Sequence, residues 1–423
     1  MLVVDEQIIR RDDDMASIWD SYRKLKPFLD VNPISLAVCL SNPIEIISVV
    51  QFMKERGDTL LLIYGGTPLD AALRQAGRAG CKWLMYGDSS QIYKVEEAGH
   101  FQDASHVSSP PVASLLQLSS GTTGDPKVIS RTWESIDEEI LYYNAVLEQQ
   151  GLNEAVPIIL SSVSHSFGLI TGVLASISRG ITPEIYDSNN PKVMIRMIKG
   201  QPRHLIYGVP ALLEGVDQWL EAWKIPLYSL VTSGAPMPEK LFEKLSTKTT
   251  CMIQQYGCTE SGAASLAIGM KSCDDLGIPL GHLRIEADET EPSEIFIHTT
   301  SEKVIATRDL GIKAGDGGIR FRGRMDDLIN VSGLKVQPIE VEEVIRRLDG
   351  IKEVIVYRGV HPVQGDSVMA NAIANEPITS QQVQDWCRNH LAEYKVPVEV
   401  RFVSDIPRLP SGKISRRLLE QEV

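Results

Sequence analysis

The chain has 423 residues, of which 43% are hydrophobic and 23% charged, as in ordinary globular enzymes, and its formal net charge is −13. This length is too great for one ordinary core and predicts at least two domains. The negative charge argues against sequence-independent nucleic-acid binding, which needs a basic face. No apolar run approaches the ~20 residues of a membrane span.

The six cysteines are scattered, with no CxxC pair. This usage indicates free thiols in a reducing cytosol rather than a disulfide framework or a zinc site. The N-terminal segment has no basic region followed by an apolar stretch, so we expect no secretory signal. Together these features predict a cytoplasmic protein.

Helical and strand patterns alternate through the first part of the chain. Residues 43–56 carry apolar side chains at helical spacing, residues 59–64 form a buried strand, and residues 69–79 return to a helical pattern. Further strands are predicted at 156–160, 204–208 and 227–232. This alternation predicts a doubly wound α/β domain with a mainly parallel sheet, whose ligands bind at the C-terminal ends of the strands.

Past residue 281 the pattern changes to short β segments separated by polar turns. Four such segments predict a small antiparallel β subdomain, at 282–288, 293–299, 303–309 and 317–323. A helix at 339–348, a strand at 353–359 and a helix at 381–391 predict a final α+β unit. We place the domain boundary within 323–327, which gives a large domain of residues 1–324, with its β subdomain at about 282–324, and a small mobile domain of residues 325–423.

A run rich in hydroxyl groups and glycine occupies positions 119–127 and reads Ser-Ser-Gly-Thr-Thr-Gly-Asp-Pro-Lys. Glycine and competing hydroxyls disfavour helix and strand here. The run can form a loop whose N–H groups, hydroxyls and lysine point at phosphate oxygens, and a solvated turn is the alternative. The candidate phosphate ligands are Ser119, Ser120, Gly121, Thr122, Thr123, Gly124 and Lys127.

Two later segments carry side chains suited to a nucleotide. Residues 233–236, Ser-Gly-Ala-Pro, have no large side chain to obstruct a flat ring near the backbone. In the segment 255–261, Tyr256 can cover a purine, Thr259 can donate to a phosphate or carboxylate oxygen, and Glu260 can hold Mg²⁺. An ordinary turn between a strand and a helix, with Tyr256 in the core, is the alternative.

Charged residues near the C-terminal part complete the pattern. Asp309, at a predicted strand end, is a good acceptor for two ribose hydroxyls. Arg324 offers a rigid fork of donors. Lys413 lies on a predicted tight turn in Leu-Pro-Ser-Gly-Lys. Each of these residues has an alternative interpretation as a solvated surface charge.

The six motifs, in this order, resemble those of the adenylate-forming superfamily: acyl-CoA synthetases, aryl-acid and amino-acid adenylating enzymes, and luciferases. The resemblance covers nearly the whole chain and implies a large N-terminal domain, a mobile C-terminal domain and a site between them. It also implies that ATP and Mg²⁺ serve to convert a carboxylic acid into an acyl adenylate with release of pyrophosphate. A thiol then takes the acyl group as a thioester.

The resemblance implies a role for each motif. Residues 119–127 would hold the β- and γ-phosphates, and Lys413 would bridge the carboxylate and the nucleotide in the first step only. Asp326 matches the hinge, about which the small domain would swing to bring residues 331–336 to the site as a thiol tunnel. The other implied positions are Ser233, Gly234, Ala235, Pro236 and Tyr256 for adenine, with Gly257 beside them, Asp309 and Arg324 for ribose, Thr259 for the α-phosphate and Glu260 for magnesium.

One departure from the family pattern concerns the ribose motif. Most members have Thr-Gly-Asp where this chain has Thr307-Arg308-Asp309. The ribose acceptor is kept, so the predicted nucleotide site remains complete.

Residues 161–169 indicate the class of acid substrate, because they match the segment that lines the acyl pocket in the family. His165 is the candidate gate or carboxylate neighbour, with a buried structural histidine as the alternative. The other candidate substrate contacts are Ser166, Phe167, Gly168, Tyr207 and Cys258. The aspartate that binds the α-amine in amino-acid-activating members is missing here, which argues against an amino acid.

The short chain and this pocket segment look most like small bacterial aryl-acid activators, such as those that activate 3,4-dihydroxybenzoate for petrobactin siderophore synthesis. A medium- or long-chain acyl-CoA synthetase is the first alternative, and a nucleotide-binding regulator without catalysis is the second. The thiol acceptor is either coenzyme A or the phosphopantetheine of an acyl or aryl carrier protein. Basic residues that suit an acidic carrier or a nucleotide are Arg401, Arg408, Arg416 and Arg417.

Overall fold

The computed structural model describes residues 2–5, 7–10, 12–29, 33–95, 113–119, 127–188, 190–331, 334–361, 365–408 and 416–420. Its backbone divides into two compact units. One comprises Met1–Gly234, Lys244–Met270 and Pro279–Arg284, and the other comprises Ala235–Glu243, Lys271–Ile278 and Ile285–Val423. The predicted boundary near residue 324 stays a prediction.

The strands and helices are numbered in chain order. The strands up to residue 268 are β1 (Leu2–Val4), β2 (Gln7–Arg10), β3 (Ser35–Leu40), β4 (Thr59–Tyr64), β5 (Trp83–Gly87), β6 (Ile92–Lys94), β7 (Ser114–Ser119), β8 (Lys127–Thr132), β9 (Val156–Ile159), β10 (Glu184–Ile185), β11 (His204–Tyr207), β12 (Leu227–Thr232), β13 (Thr249–Cys258) and β14 (Gly262–Ile268). The later strands are β15 (Asp275–Pro279), β16 (Arg284–Glu286), β17 (Ser293–His298), β18 (Val304–Lys313), β19 (Ile319–Arg324), β20 (Ile329–Val331), β21 (Leu334–Val336), β22 (Ile351–His361), β23 (Gly365–Ala374) and β24 (Glu399–Phe402). The helices are α1 (Asp12–Arg23), α2 (Pro43–Arg56), α3 (Leu69–Arg78), α4 (Trp133–Gln149), α5 (Ala175–Ser178), α6 (Pro191–Gly200), α7 (Pro210–Trp223), α8 (Glu239–Ser246), α9 (Pro338–Arg346), α10 (Ser380–His390) and α11 (Arg416–Glu420), with a π-helix at Phe167–Leu174 and 3-10 turns at Lys26–Phe28 and Glu393–Lys395.

Helix α2 shows how local signals set an element's ends. The Asn42 side chain caps the helix by accepting from the backbone N–H groups of Ile44 and Glu45, and Pro43 occupies the first turn. Gly57 ends the helix in the left-handed conformation, at φ 69°. The predicted bounds of α2 and of the following strand β4 are confirmed.

The first unit contains two sheets with largely parallel strands. In one, the order is β6-β5-β3-β4-β7-β8, and the pairs β3–β4, β3–β5 and β4–β7 are parallel. In the other, strands follow in the order β2-β1-β10-β9-β11-β12-β13-β14, with parallel pairing from β1 through β13. The predicted parallel α/β architecture is confirmed.

The second unit combines an antiparallel sheet with an α+β segment. Strand β18 pairs antiparallel with both β17 and β19, which confirms the predicted β subdomain. Downstream, β22 and β23 form a long antiparallel pair, with β20 and β24 also bound to β23. Side chains from α9 and α10, including Val341, Ile345 and Val383, form a buried core against Val356 of β22.

Two further expectations concern the whole molecule. All six cysteines are free, as their spacing predicts. Within the described ranges, none of the helices combines the length and apolar character needed to cross a bilayer.

Candidate active site

Several candidate residues follow parallel strands that end at one edge of the sheet. Ile159 of β9 lies opposite Tyr207 of β11, Tyr207 lies opposite Val231 of β12, and Thr232 lies opposite Gln254 of β13. This register brings the carboxyl ends of four neighbouring strands together, which is where ligands bind in open α/β sheets. The predicted pocket segment follows β9, and Ser233 and Gly234 of the predicted adenine segment follow β12, so both leave the sheet at this edge.

The predicted phosphate segment connects two paired strands. Ser119, the last residue of β7, lies opposite Lys127, the first residue of β8, and the Lys127 side chain is exposed. The hairpin therefore presents both ends of the segment side by side. The candidates Ser120, Gly121, Thr122, Thr123 and Gly124 lie outside the described residues.

The Thr259–Glu260 turn joins the antiparallel strands β13 and β14, so the alternative of a turn between a strand and a helix is wrong. Both side chains are half-buried in the turn. Tyr256, two residues before Cys258, is buried at the end of β13.

A close backbone contact shapes this hairpin. A Cβ atom on Gly257 would lie 1.9 Å from the carbonyl oxygen of Gly262, so only glycine fits there. Next to it, burial raises the pKa of the Cys258 thiol to about 11, and its sulfur lies 3.3 Å from the Ser261 hydroxyl oxygen. Cys258 is therefore protonated at neutral pH and suits a wall of the site better than a nucleophile.

A buried ion pair, which the sequence analysis missed, lies behind this turn. Arg131 Nη2 of β8 approaches Glu139 Oε2 of α4 to 2.6 Å, and the two side chains are 6% and 1% exposed. Glu139 Oε1 accepts a hydrogen bond from the N–H of Ala263, at 2.8 Å, at the start of β14. The sequence contains a signal for this buried charge. Glu139 lies on the apolar face of α4, together with Ile136 and Tyr143, where a charged side chain needs a buried partner.

The pocket segment packs against strand β7 and strand β11. The Ser166 hydroxyl donates to Gln117 Oε1 of β7 at 2.5 Å. The Phe167 ring lies 5.7 Å from the Tyr207 ring, measured between centroids. His165 is exposed, so the alternative of a buried structural histidine is wrong.

Glycine and tyrosine fix the inner side of this segment. A Cβ atom on Gly168 would lie 2.4 Å from the carbonyl oxygen of Ser162, so a larger residue would push the segment away. The hydroxyl oxygens of Tyr207 and Tyr143 are 3.1 Å apart in a fully buried pair. Burial raises the pKa of the Tyr207 phenol, which therefore stays neutral.

The second unit holds the predicted ribose and hinge residues together. Asp309 of β18 lies opposite Arg324 of β19, and Arg324 Nε is 3.4 Å from Asp309 Oδ1. Arg308 adopts φ 62°, a left-handed conformation that favours glycine, the residue that most members of the family that the chain resembles have at this position. Its guanidinium contacts Asp326 Oδ1 through Nε at 3.0 Å and through Nη2 at 2.5 Å.

The structure thus gathers the candidate residues in two groups. Ser233 and Gly234 belong to the first unit, with Gly234 at φ 85°, whereas Ala235 and Pro236 belong to the second. Lys413 lies outside the described residues. The roles assigned to these residues remain predictions.

The predicted metal ligand is the carboxylate of Glu260. Among the described residues, no group of three or more His, Cys, Asp and Glu side chains converges as a metal cage. Glu260, half-buried in its turn, fits Mg²⁺ in its usual mode, in which one or two carboxylates and substrate phosphates share the ion with water.

Comparison with known proteins identifies the class. The family of AMP-binding enzymes matches residues 49–294, and the C-terminal domain of AMP-binding enzymes matches residues 340–413. The chain is 43% identical to a 3,4-dihydroxybenzoate–[aryl-carrier protein] ligase of Bacillus anthracis, over 99% of this chain and 98% of that protein. It is 25% identical to a 2-succinylbenzoate–CoA ligase of Bacillus licheniformis, over 94% of this chain and 91% of that protein.

Solved structures share the fold. The o-succinylbenzoate CoA synthetase of Bacillus subtilis, in complex with its acyl-adenylate intermediate, superposes with a TM-score of 0.82 at 20% identity, covering 99% of this chain and 94% of that one. ATP-bound MatB of Rhodopseudomonas palustris superposes with a TM-score of 0.78 at 18% identity, covering 96% and 91% of the two chains.

The chain belongs to the AMP-binding enzyme family, which confirms the resemblance drawn from its motifs. It is an AMP-forming ligase of the acid–thiol class.

Proposed function

We propose that this enzyme activates an aromatic acid, a dihydroxybenzoate, with ATP and loads it onto the phosphopantetheine thiol of an aryl carrier protein. The observation that carries the proposal is the 43% identity, over nearly the full length of both chains, to a ligase with that activity. The pocket segment supports an aromatic acid, since the Phe167 ring, which packs 5.7 Å from the buried Tyr207 ring, gives this segment an apolar aromatic wall for a benzoate ring.

The first half-reaction joins two anions. A carboxylate oxygen attacks the α-phosphorus of ATP, the bond from that phosphorus to the pyrophosphate oxygen breaks, and the aryl adenylate and pyrophosphate form. Both reactants are negatively charged, so the site must supply donors and cations that stabilise the charge on the transferring phosphoryl group.

Residues of the first unit are assigned to this task. Lys127 and the backbone of the 119–127 segment hold the β- and γ-phosphates, and Thr259 donates to the α-phosphate. Glu260 holds Mg²⁺, which when bound neutralises phosphate charge. Ser233, Gly234 and Tyr256 bind the adenine ring.

Residues of the second unit are assigned to the ribose and to the change between steps. Asp309 and Arg324 bind the ribose hydroxyls, and Lys413 bridges the carboxylate and the nucleotide. Asp326 is the hinge about which the C-terminal segment turns before the second half-reaction.

The second half-reaction transfers the aroyl group. The carrier thiol loses its proton to water, its sulfur attacks the carbonyl carbon of the adenylate, and the bond from that carbon to the AMP oxygen breaks. The products are an aroyl thioester and AMP. The Phe167 ring is assigned as an apolar wall of the pocket, which keeps the aryl ring and its carbonyl in place through both steps.

Acid-dependent exchange of labelled pyrophosphate into ATP tests the proposal. A panel of hydroxylated benzoates and of medium- and long-chain fatty acids is compared at equal concentration. We expect exchange with dihydroxybenzoates and at least tenfold less with fatty acids. Exchange that requires a fatty acid would contradict the proposed acid, and ATP binding without exchange for any acid would favour a regulatory nucleotide-binding role.

The acceptor is tested separately, with thioester formation followed on a holo aryl carrier protein and on coenzyme A. We expect transfer to the carrier protein. Transfer to coenzyme A alone would assign the enzyme to the acyl-CoA synthetases.

A further inference from the structure

The Thr259–Glu260 turn is attached to the rest of the first unit through the buried pair Arg131–Glu139. Arg131 lies in β8, four residues after Lys127, and Glu139 lies in α4, which follows β8 directly. Ala263, which donates to Glu139, lies three residues after Glu260. One carboxylate therefore connects the strand of the phosphate segment to the hairpin that carries the predicted α-phosphate and magnesium ligands.

The contact leaves little freedom on either side. Gly262 adopts φ 72°, and a Cβ atom there would lie 2.2 Å from Glu139 Oε2 and 2.4 Å from Arg131 Nη1. The backbone of the turn thus packs directly on the ion pair. Any shift of the carboxylate shifts the start of β14, and with it the turn.

Stability alone does not explain why this pair is buried. Removing two charges from water costs several kcal/mol per ion, and an apolar pair of similar volume often stabilises a fold as well or better. Within the described residues, Arg131 Nη1 has no hydrogen-bond partner, and Glu139 Oε2 has none beyond its ion-pair contact with Arg131 Nη2, which adds to that cost. What the pair does supply is a directional link, because the carboxylate must face both the guanidinium and the Ala263 N–H.

We propose that Arg131 and Glu139 are positioning residues, which fix the Thr259–Glu260 turn relative to the phosphate-binding hairpin. This inference rests on the proposed function, since it assigns a role to the support of that site. Neither residue is expected to touch the substrates. The pair acts by holding the α-phosphate donor and the magnesium ligand at a fixed distance from the β- and γ-phosphates.

The chain offers a closely matched control. Asp58 is 1% exposed, accepts from the Ile34 N–H through Oδ1 at 3.0 Å, and pairs with Arg56 Nε through Oδ2 at 2.6 Å. Like Glu139, it serves one backbone N–H and one arginine. Asp58 precedes β4, at the amino end of a strand, whereas Thr259 and Glu260 follow the carboxyl end of β13.

The test compares the variants Glu139→Gln and Asp58→Asn. The folded fraction of each is purified by size-exclusion chromatography and assayed by pyrophosphate exchange. In Glu139→Gln the amide oxygen can still accept from Ala263, but the amide NH₂ group then faces the guanidinium, so the pair is lost. We expect kcat/KM for MgATP to fall about ten- to hundredfold, as for other misplaced catalytic groups. The KM for the acid should change less than kcat/KM for MgATP, because the pocket segment 161–169 and Tyr207 of β11 lie outside the turn, with only Cys258 directly before it.

Asp58→Asn should lower the melting temperature comparably and leave kcat/KM for MgATP within twofold per folded molecule. Arg131→Lys, which keeps a cation with a shorter reach, carries the test if Glu139→Gln does not fold, with the same split expected. Suppose that the unaltered enzyme is active, but that Glu139→Gln and Arg131→Lys keep its kcat/KM for MgATP per folded molecule, or lose no more of it than Asp58→Asn does. That result would overturn the positioning role and leave the proposed function standing. No exchange by the unaltered enzyme with any acid would overturn the proposed function and this inference with it.

Discussion

Two ion pairs lie beside predicted site residues, and water reaches them to different extents. The side chains of Arg131 and Glu139 are 6% and 1% exposed, whereas those of Arg308 and Asp326 are 54% and 23% exposed. A buried pair holds its geometry because breaking it leaves an uncompensated charge. An exposed pair can open into water at little cost. The first is suited to hold a turn still, and the second to let a hinge move.

The largest effect is expected from breaking the buried pair on one side only. Arg131→Met leaves the Glu139 carboxylate buried without its cation, so the free energy of unfolding should fall by about 3–5 kcal/mol. Replacing both partners, in Arg131→Met/Glu139→Leu, should recover a large part of that loss. Denaturant titration measures both values.

The control for that comparison is Arg203→Met, which removes one partner of the exposed pair between Arg203 and Glu154. Its cost should be below about 1 kcal/mol. Equal losses in Arg131→Met and Arg203→Met would show that burial does not distinguish the two kinds of pair.

A smaller effect is expected from crowding the pair through the backbone. Gly262 and Gly269 both adopt positive φ angles, of 72° and 62°, but a Cβ atom meets Glu139 and Arg131 only at Gly262 and meets nothing within 4 Å at Gly269. Gly269→Ala should cost about 1–2 kcal/mol from the left-handed conformation alone. Gly262→Ala should cost about 1–3 kcal/mol more, because the ion pair must move.

Thermal or chemical unfolding of the two alanine variants gives that difference directly. If both lose the same stability, the hairpin does not pack on the pair as tightly as the distances indicate.

The smallest effect on stability is expected from the exposed pair. Arg308→Gly removes the contact with Asp326 but also relieves the left-handed backbone at residue 308, so the melting temperature should shift by no more than about 4 °C. If Asp326 is the hinge, the variant should instead change the ratio of thioester formation to pyrophosphate exchange. Arg203→Met should leave that ratio unchanged, and an unchanged ratio in Arg308→Gly would argue against a contact that restrains the hinge.

Local signals explain what the sequence predicted well. The strand β12 has the predicted bounds, as do α2 and β4, because apolar runs and caps lie within the segment itself. Strands β9 and β11 are each one residue shorter than predicted, where the chain leaves the sheet toward the site. The order of the motifs was enough to recognise the family.

Long-range contacts explain what the sequence did not show. The link from Glu139 to Ala263 joins residues 124 positions apart, so no local pattern encodes it. The pairing of β13 with β14 was also missed, because the glycines and hydroxyls of residues 257–262 favour a turn without indicating which element follows it.

A crystal structure with a bound aryl-adenylate analogue tests the central claim most directly, namely that the hairpin turn supported by Arg131 and Glu139 holds the reacting phosphate. We predict that the phosphate of the analogue lies within hydrogen-bonding distance of the Thr259 side chain, with the Arg131–Glu139 pair intact behind the turn. An analogue bound away from residues 256–260, or a turn that has left the pair in the complex, would contradict the account.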